Sequence, residues 1–254
     1  MKNFLHLLKN EIRSLFHAPS TYLAMVLAVS LMGFLYFITL VTISSEEQEL
    51  MPPSIFFSMF WIPVLLIVPM LTMRSIAEER RLGTIETLLT APVRPTQVVL
   101  AKYFAAYGFY LLVWALAAGY PLITSYVLEQ PEISHILFHA GSMVGGYLFI
   151  GTSGALFVAI GVFSSSLTRS QLVAGMLSFS ILFMLIIGVA AINILQLKSS
   201  GHAYFSDVTI AYFQIFDHFE DFSRGLIDTR PFVYYLSGTS AVLILSVLIL
   251  ESKA

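Results

Sequence analysis

Apolar positions in this chain mostly run on in blocks instead of alternating or recurring every third or fourth residue. Six blocks stand out, at about 20–43, 54–73, 103–128, 141–164, 171–195 and 232–250. Each is close to or above the about 20 residues that a helix needs to cross a hydrocarbon core about 30 Å thick, where backbone groups must bond within their own segment. The pattern predicts an all-α polytopic membrane protein with six transmembrane helices, forming a single domain over residues 1–254.

Two further stretches are periodic. In the first, residues 1–18, Phe4, Leu5, Leu8, Ile12, Leu15 and Phe16 share one arc of a helical wheel, with Lys2, His6, Lys9 and Arg13 on the next. That is the pattern of an interfacial helix lying on a bilayer, its basic side chains toward anionic headgroups. Pro19 argues against a simple extension of the first span, because it breaks the helix there. In the second, residues 205–228, Val208, Tyr212, Ile215, Phe219, Phe222 and Leu226 form a stripe, with Asp217, Glu220, Asp221 and Arg224 largely off it. This predicts an amphipathic helix before span six, dipping into the membrane edge or lidding the spans.

Composition agrees: 11% of residues are charged, against roughly a quarter in soluble domains. A net charge of −2 with no basic tract excludes nucleic acid as a partner. Without cysteine there is no disulfide, thiol nucleophile or thiolate metal site. With the N-terminus inside, ten Lys and Arg fall in inner segments and three, Lys198, Arg224 and Arg230, in outer ones. Basic residues are retained in the cytoplasm, so both termini and the loop at 74–102 are expected there, with the 205–228 helix extracytoplasmic. Glu46, Glu47, Glu49, Glu129 and Glu132 then make the outer connections acidic.

Within the spans, Pro63 and Pro69 predict fixed kinks in the second, since each removes an intrahelical hydrogen bond. Gly141, Gly145, Gly151, Ala155 and Ala159 give the fourth a small-residue face for close helix packing. The six apolar cores hold no Asp, Glu, Lys or Arg, which disfavours a carrier powered by its own proton or ion coupling. No G-x-x-x-x-G-K-[ST] loop is present to cradle nucleotide phosphates, so no cofactor and no catalytic residue is assigned. His135 and His139 stand four apart but lack a third ligand, and read as interfacial histidines, not a metal site.

The exception to the apolar pattern is "RSIAEERRLGTIETLLTAPVRPTQVVLAK", Arg74 to Lys102, with eight charged residues between two spans. Helix is expected to run to Leu82, with Arg80 and Arg81 near its carbonyl end and Gly83 as cap. Thr84 then opens a short rod that Pro92 stops, with Glu86 near its amide end and Ile85, Leu88 and Leu89 on one edge. A rod of about eight residues, about 12 Å long, does not hold alone. It suits docking in another protein's groove; the alternative is a solvated loop.

The residues "FFSMFWIPVLLIVPMLTMRSIAEERRLGTIETLLTAPVRPTQVVLAKYFAAY" closely resemble the permease subunits of type-2 ABC exporters, within these the subfamily of gliding-motility and nitrous-oxide-reductase maturation permeases. The match rests on Glu78-Glu79, Gly83-Thr84, Glu86, Leu88-Leu89, Pro92-Val93, Gln97 and Lys102, and "HFEDFSRGLIDTRPFVYYLS" resembles the segment before that subfamily's last span. The resemblance implies a multi-pass permease in a bacterial inner membrane. It would pair with a second permease copy or paralogue and with cytoplasmic ABC ATPases that supply the ATP hydrolysis. The loop after span two would be the cytoplasmic coupling helix, and Glu78, Glu79, Arg80, Arg81, Gly83, Thr84 and Glu86 its contact set. Two rivals are a mechanotransmission subunit that moves no solute and engages a periplasmic or surface protein, and an ATP-independent transporter.

Overall fold

The computed structural model describes residues 2–45, 52–84, 94–127, 140–191, 214–224 and 228–252. Among these residues every regular element is helical: α1 (Lys2–His17), α2 (Pro19–Ser45), α3 (Pro52–Ser58), α4 (Trp61–Thr72), α5 (Ala77–Leu82), α6 (Pro95–Ala117), α7 (Gly119–Val127), α8 (Ala140–Leu167), α9 (Gln171–Phe183), α10 (Ile215–Ser223) and α11 (Thr229–Ser252). A π-helical turn, Met184–Gly188, continues α9. Six stretches are long and apolar enough to cross a membrane: Pro19–Ile43, Trp61–Leu82, Pro95–Thr124, Gly141–Leu167, Gln171–Ala191 and Thr229–Ser252. The chain is a multi-pass, all-helical membrane protein.

Prolines set the breaks. Pro63 has no N–H for the Met59 carbonyl and its ring crowds that oxygen. The carbonyl instead accepts from Ile62 N at 3.2 Å, and the chain turns at Met59–Phe60 between α3 and α4. The outcome is an interrupted helix where the sequence predicts a kink. Pro121 likewise has no N–H for the Ala117 carbonyl, and α6 gives way to α7 at Ala118. At the other end, Pro95 occupies the first turn of α6, where a missing N–H costs nothing. Gln97 Oε1 accepts from the Arg94 N–H at 3.3 Å. The third span's helix therefore begins eight residues before Tyr103, where hydropathy starts the span, and Lys102 lies on it.

α8 is the axis of the packing. It lies against α3, α4, α6, α9, α10 and α11, and most of its length is buried. Close approach depends on residues without side chains. A Cβ at Gly161 would stand 2.3 Å from Thr72 Oγ1 on α4, and one at Gly145 1.9 Å from the Phe222 carbonyl of α10. The small-residue face thus packs within this chain, although Gly141 itself is exposed. α2, α9 and α11 are the least covered spans. They present Phe34 and Phe37, Leu172 and Met176, and Leu236 and Ile244 outward, a surface that hydrocarbon or another apolar protein accepts.

α1 packs on α6 and α2. Leu7 and Leu15 meet the core while Leu5, Ile12 and Phe16 remain exposed. On the opposite end of the molecule, α10 buries Ile215, Phe219 and Phe222 against α8 and α3. The expectations at Glu46 to Glu49, Glu129 to His139, Lys198, Val208, Tyr212 and Leu226 lie outside the described residues, as does the rod after Thr84 with Glu86.

Candidate functional site at the elbow after the second span

α4 ends at Thr72, and residues 73–76 turn the chain into α5. A helix of six residues holds few of its own hydrogen bonds, so its ends need outside partners. α8 supplies them for the first turn. Ser165 Oγ accepts from the amides of Ile76 and Ala77, both at 3.0 Å, and donates to Met73 O at 3.4 Å. The last turn closes on Gly83, whose φ of 70° is a left-handed position that favours glycine, with its N–H bonded to Glu79 O. Thr84 Oγ1 donates to the same carbonyl at 3.3 Å.

The charged side chains of α5 divide by direction. Arg80 turns inward and donates to Ser166 O and, at 3.3 Å, to Ile249 O. Both carbonyls lie in the last turns of α8 and α11, where helix oxygens lack intrahelical donors and a cation meets the negative end of the dipole. Glu79 also turns inward, toward Lys102 on α6. The Lys102 ammonium, 3% exposed, sits 2.7 Å from Glu79 Oε1 and 2.7 Å from Glu11 Oε1 of α1. One buried cation thus holds carboxylates from two other helices. Arg74, at the turn, donates to Ser20 Oγ on α2 at 2.8 Å.

Arg81, Leu82, Gly83 and Thr84 lie on the other side, and Glu78, half-buried, stands at the border between the two. Glu78 and Arg81 approach to 3.8 Å on the outer edge of α5, and Arg81, Leu82, Gly83 and Thr84 are exposed. Of the proposed contact set, Glu79 and Arg80 are therefore engaged inside the molecule. Glu78, Arg81, Gly83 and Thr84 form its outer edge, and Glu86 is outside the described residues.

Sequence reasoning missed Glu11, Ser165 and Ser20 as partners of this elbow. Glu11 is the only acid in a basic amphipathic helix, the one signal that could have singled it out. Ser165 stands in a run of three buried serines at the end of an apolar span, a cluster that invites the question of what it caps.

The outcome is a short surface helix tied by hydrogen bonds and an ion pair to α6, α8 and α11, with α1 joined through Lys102 and α2 through Arg74 of the preceding turn. A protein-family model described as an ABC-2 family transporter protein matches residues 39–251. The chain belongs to the ABC-2 transporter family. It is a transmembrane permease component of an ABC transporter, a membrane part and not itself catalytic, and membership implies an ABC ATPase partner in general. The matched region holds the elbow, Lys102 and Ser165, but it begins after α1 and so leaves out Glu11. No curated protein matches the chain.

Proposed function

We propose that this permease couples ATP hydrolysis by a separate cytoplasmic ATPase to export across a bacterial inner membrane, with the loop 74–102 as its coupling element. The observation that carries this reading is the wiring of α5. Its outer edge is exposed, while Glu79, Arg80 and the first-turn amides connect it to α6, α8 and α11, and through Lys102 to α1. Closure of the ATPase would push on Glu78, Arg81, Thr84 and Glu86, and the elbow would pass that displacement to α6, α8 and α11 together. Both termini are then cytoplasmic, with α1 lying in the inner interface and α10 on the far side.

The subfamily resembling gliding-motility and nitrous-oxide-reductase maturation permeases fits the motifs around Gly83-Thr84 and His218 to Ser237. A second copy or paralogue would cover part of the exposed apolar faces of α2, α9 and α11. What supports an apolar or amphipathic cargo is that the six apolar cores hold no Asp, Glu, Lys or Arg. Thr39 and Ser153 are fully buried, and their hydroxyls bond to carbonyls of their own helices, Leu35 O at 3.0 Å and Phe149 O at 2.7 Å.

Charge reversal at Glu86, E86K, tests the coupling. ATPase activity of the reconstituted complex should lose its stimulation by the permease, with membrane insertion and co-purification of the permease unchanged. Full stimulation in E86K contradicts the docking role of this loop.

A further inference from the structure

Beside the elbow, α1, α2, α4, α5 and α6 enclose an open cavity of about 370 Å³, within the range of small-ligand sites. Its polar wall carries Arg74, Lys102, Glu11, Glu78 and Glu79. These charges are not all satisfied. Lys102 pairs with two carboxylates, Glu11 and Glu79. Arg74 has one hydrogen bond, to Ser20, and no carboxylate partner; its Nε is buried with no acceptor. Glu79 has one oxygen on Lys102 and the other buried without a donor. The same wall therefore lacks an anion at Arg74 and a donor at the second oxygen of Glu79, while Glu78 already stands 3.8 Å from Arg81.

The cavity also has an apolar neighbour. A groove of about 90 Å³ between α1 and α6, lined by Ile12, Phe16, Phe104 and Leu112, shares Leu15 and Ala105 with it. In a membrane protein, a polar cavity at the ends of the spans that meets an apolar groove has the two-part chemistry of a lipid.

We propose that this cavity binds a phospholipid with a primary-amine headgroup, phosphatidylethanolamine being the simplest: phosphate on Arg74, ammonium toward Glu79, and one acyl chain along the α1–α6 groove. A choline headgroup has no N–H to give the carboxylates, and a glycerol headgroup brings no cation. The inference rests on the multi-pass membrane assignment and not on ATPase coupling, so its test reads lipid alone.

Purified full-length permease is exchanged into detergent containing equal amounts of phosphatidylethanolamine, phosphatidylcholine and phosphatidylglycerol, and retained lipid is measured by native mass spectrometry. Phosphatidylethanolamine should be retained in preference to both others, and free phosphoethanolamine or inorganic phosphate should not displace it. R74Q should reduce that retention about tenfold, the usual weight of a charge-assisted hydrogen bond. A second variant guards against misfolding of R74Q. A Cβ at Gly108 would meet no atom within 4 Å, so G108L fits its surroundings while filling the groove; it too should lose the lipid while keeping the wild-type melting temperature. Equal retention of the three lipids, or undiminished retention in R74Q and G108L, overturns the proposal. Displacement by phosphoethanolamine alone would make this a headgroup-sized solute site and overturn the lipid assignment.

Discussion

The two ends of this permease each hold a short helix against the spans, and they do it with different chemistry. α5 is held by a buried ammonium, a serine hydroxyl and a guanidinium, which reach to α1, α6, α8 and α11. α10 is held by rings: Phe219 and Phe216 stand 6.2 and 5.7 Å from Phe60, Phe219 5.4 Å from Phe149, and Phe222 5.3 Å from Phe232. Its buried polar ties include His218 Nδ1 with the Tyr235 hydroxyl at 3.2 Å and Ser142 Oγ of α8, which donates to Ser223 O at 3.2 Å. Hydrogen bonds and ion pairs are directional and few, and each can pass to a new partner when an element shifts. Interlocked rings lose many small contacts together if the helix moves at all. On the proposed coupling role, the elbow end is the one that would be displaced and the α10 end the one that would stay.

The sharpest way to break the contrast is to remove the cation at the elbow. K102M leaves Glu11 and Glu79 facing each other in a poorly hydrated site, and losing one partner of a buried ion pair costs about 3–5 kcal/mol. Thermal unfolding in detergent should show the loss, and adding E11Q and E79Q to K102M should restore most of it. A K102M protein as stable as wild type would mean that this site is wetter than its burial implies.

At the other end, G145A puts a methyl group where the Phe222 carbonyl now lies. Overpacking of this kind costs about 1–3 kcal/mol, and the backbone on one side cannot rotate away as a side chain would. Limited proteolysis should cut near α10 in G145A and spare it in wild type. Since α5 makes no contact with Gly145, crosslinks at the elbow should be unchanged.

A smaller effect separates the ends by pH. Burial holds the His218 imidazole below its usual 6.5, against the opposing pull of Asp221 and Asp228, and Tyr234 and Tyr235 face it from α11. The folded state thus takes up a proton less readily than the unfolded chain. The stability this gives is whole above pH 6.5 and falls away as pH drops from there toward the lower folded value. Asp217 acts in the opposite sense: burial, then Glu220 and Asp221, raise it above 3.8, so it destabilises the fold once pH rises through that raised value. Between pH 7.5 and 5.5 the histidine governs, and α10 should become more protease-sensitive on acidification. H218F should remove that trend.

Much of this architecture can be read from the chain. Six uninterrupted apolar runs announce the spans, Gly83 its own left-handed cap, and the Phe219–Phe222 stripe a helix that buries one face. The elbow's wiring cannot be read the same way. Lys102 and Glu11 are 91 residues apart, and Arg80 and Ile249 are 169 apart. Single polar partners of this kind leave no periodic trace, and a carbonyl acceptor leaves no trace at all. Hydropathy also starts the third span at Tyr103, which sets Lys102 outside it, whereas hydrogen bonding carries the helix back to Pro95.

Arg81 offers the most direct test of the claim that the outer edge of α5 meets an ATPase. The chain has no native cysteine, so R81C can be crosslinked alone in native membranes with a short thiol-to-photoreactive reagent, beside Y126C as a control on exposed α7. The account predicts an adduct from R81C that contains an ABC ATPase and none from Y126C. An ATPase adduct from Y126C, or its absence from R81C in membranes where the ATPase co-purifies, would contradict it.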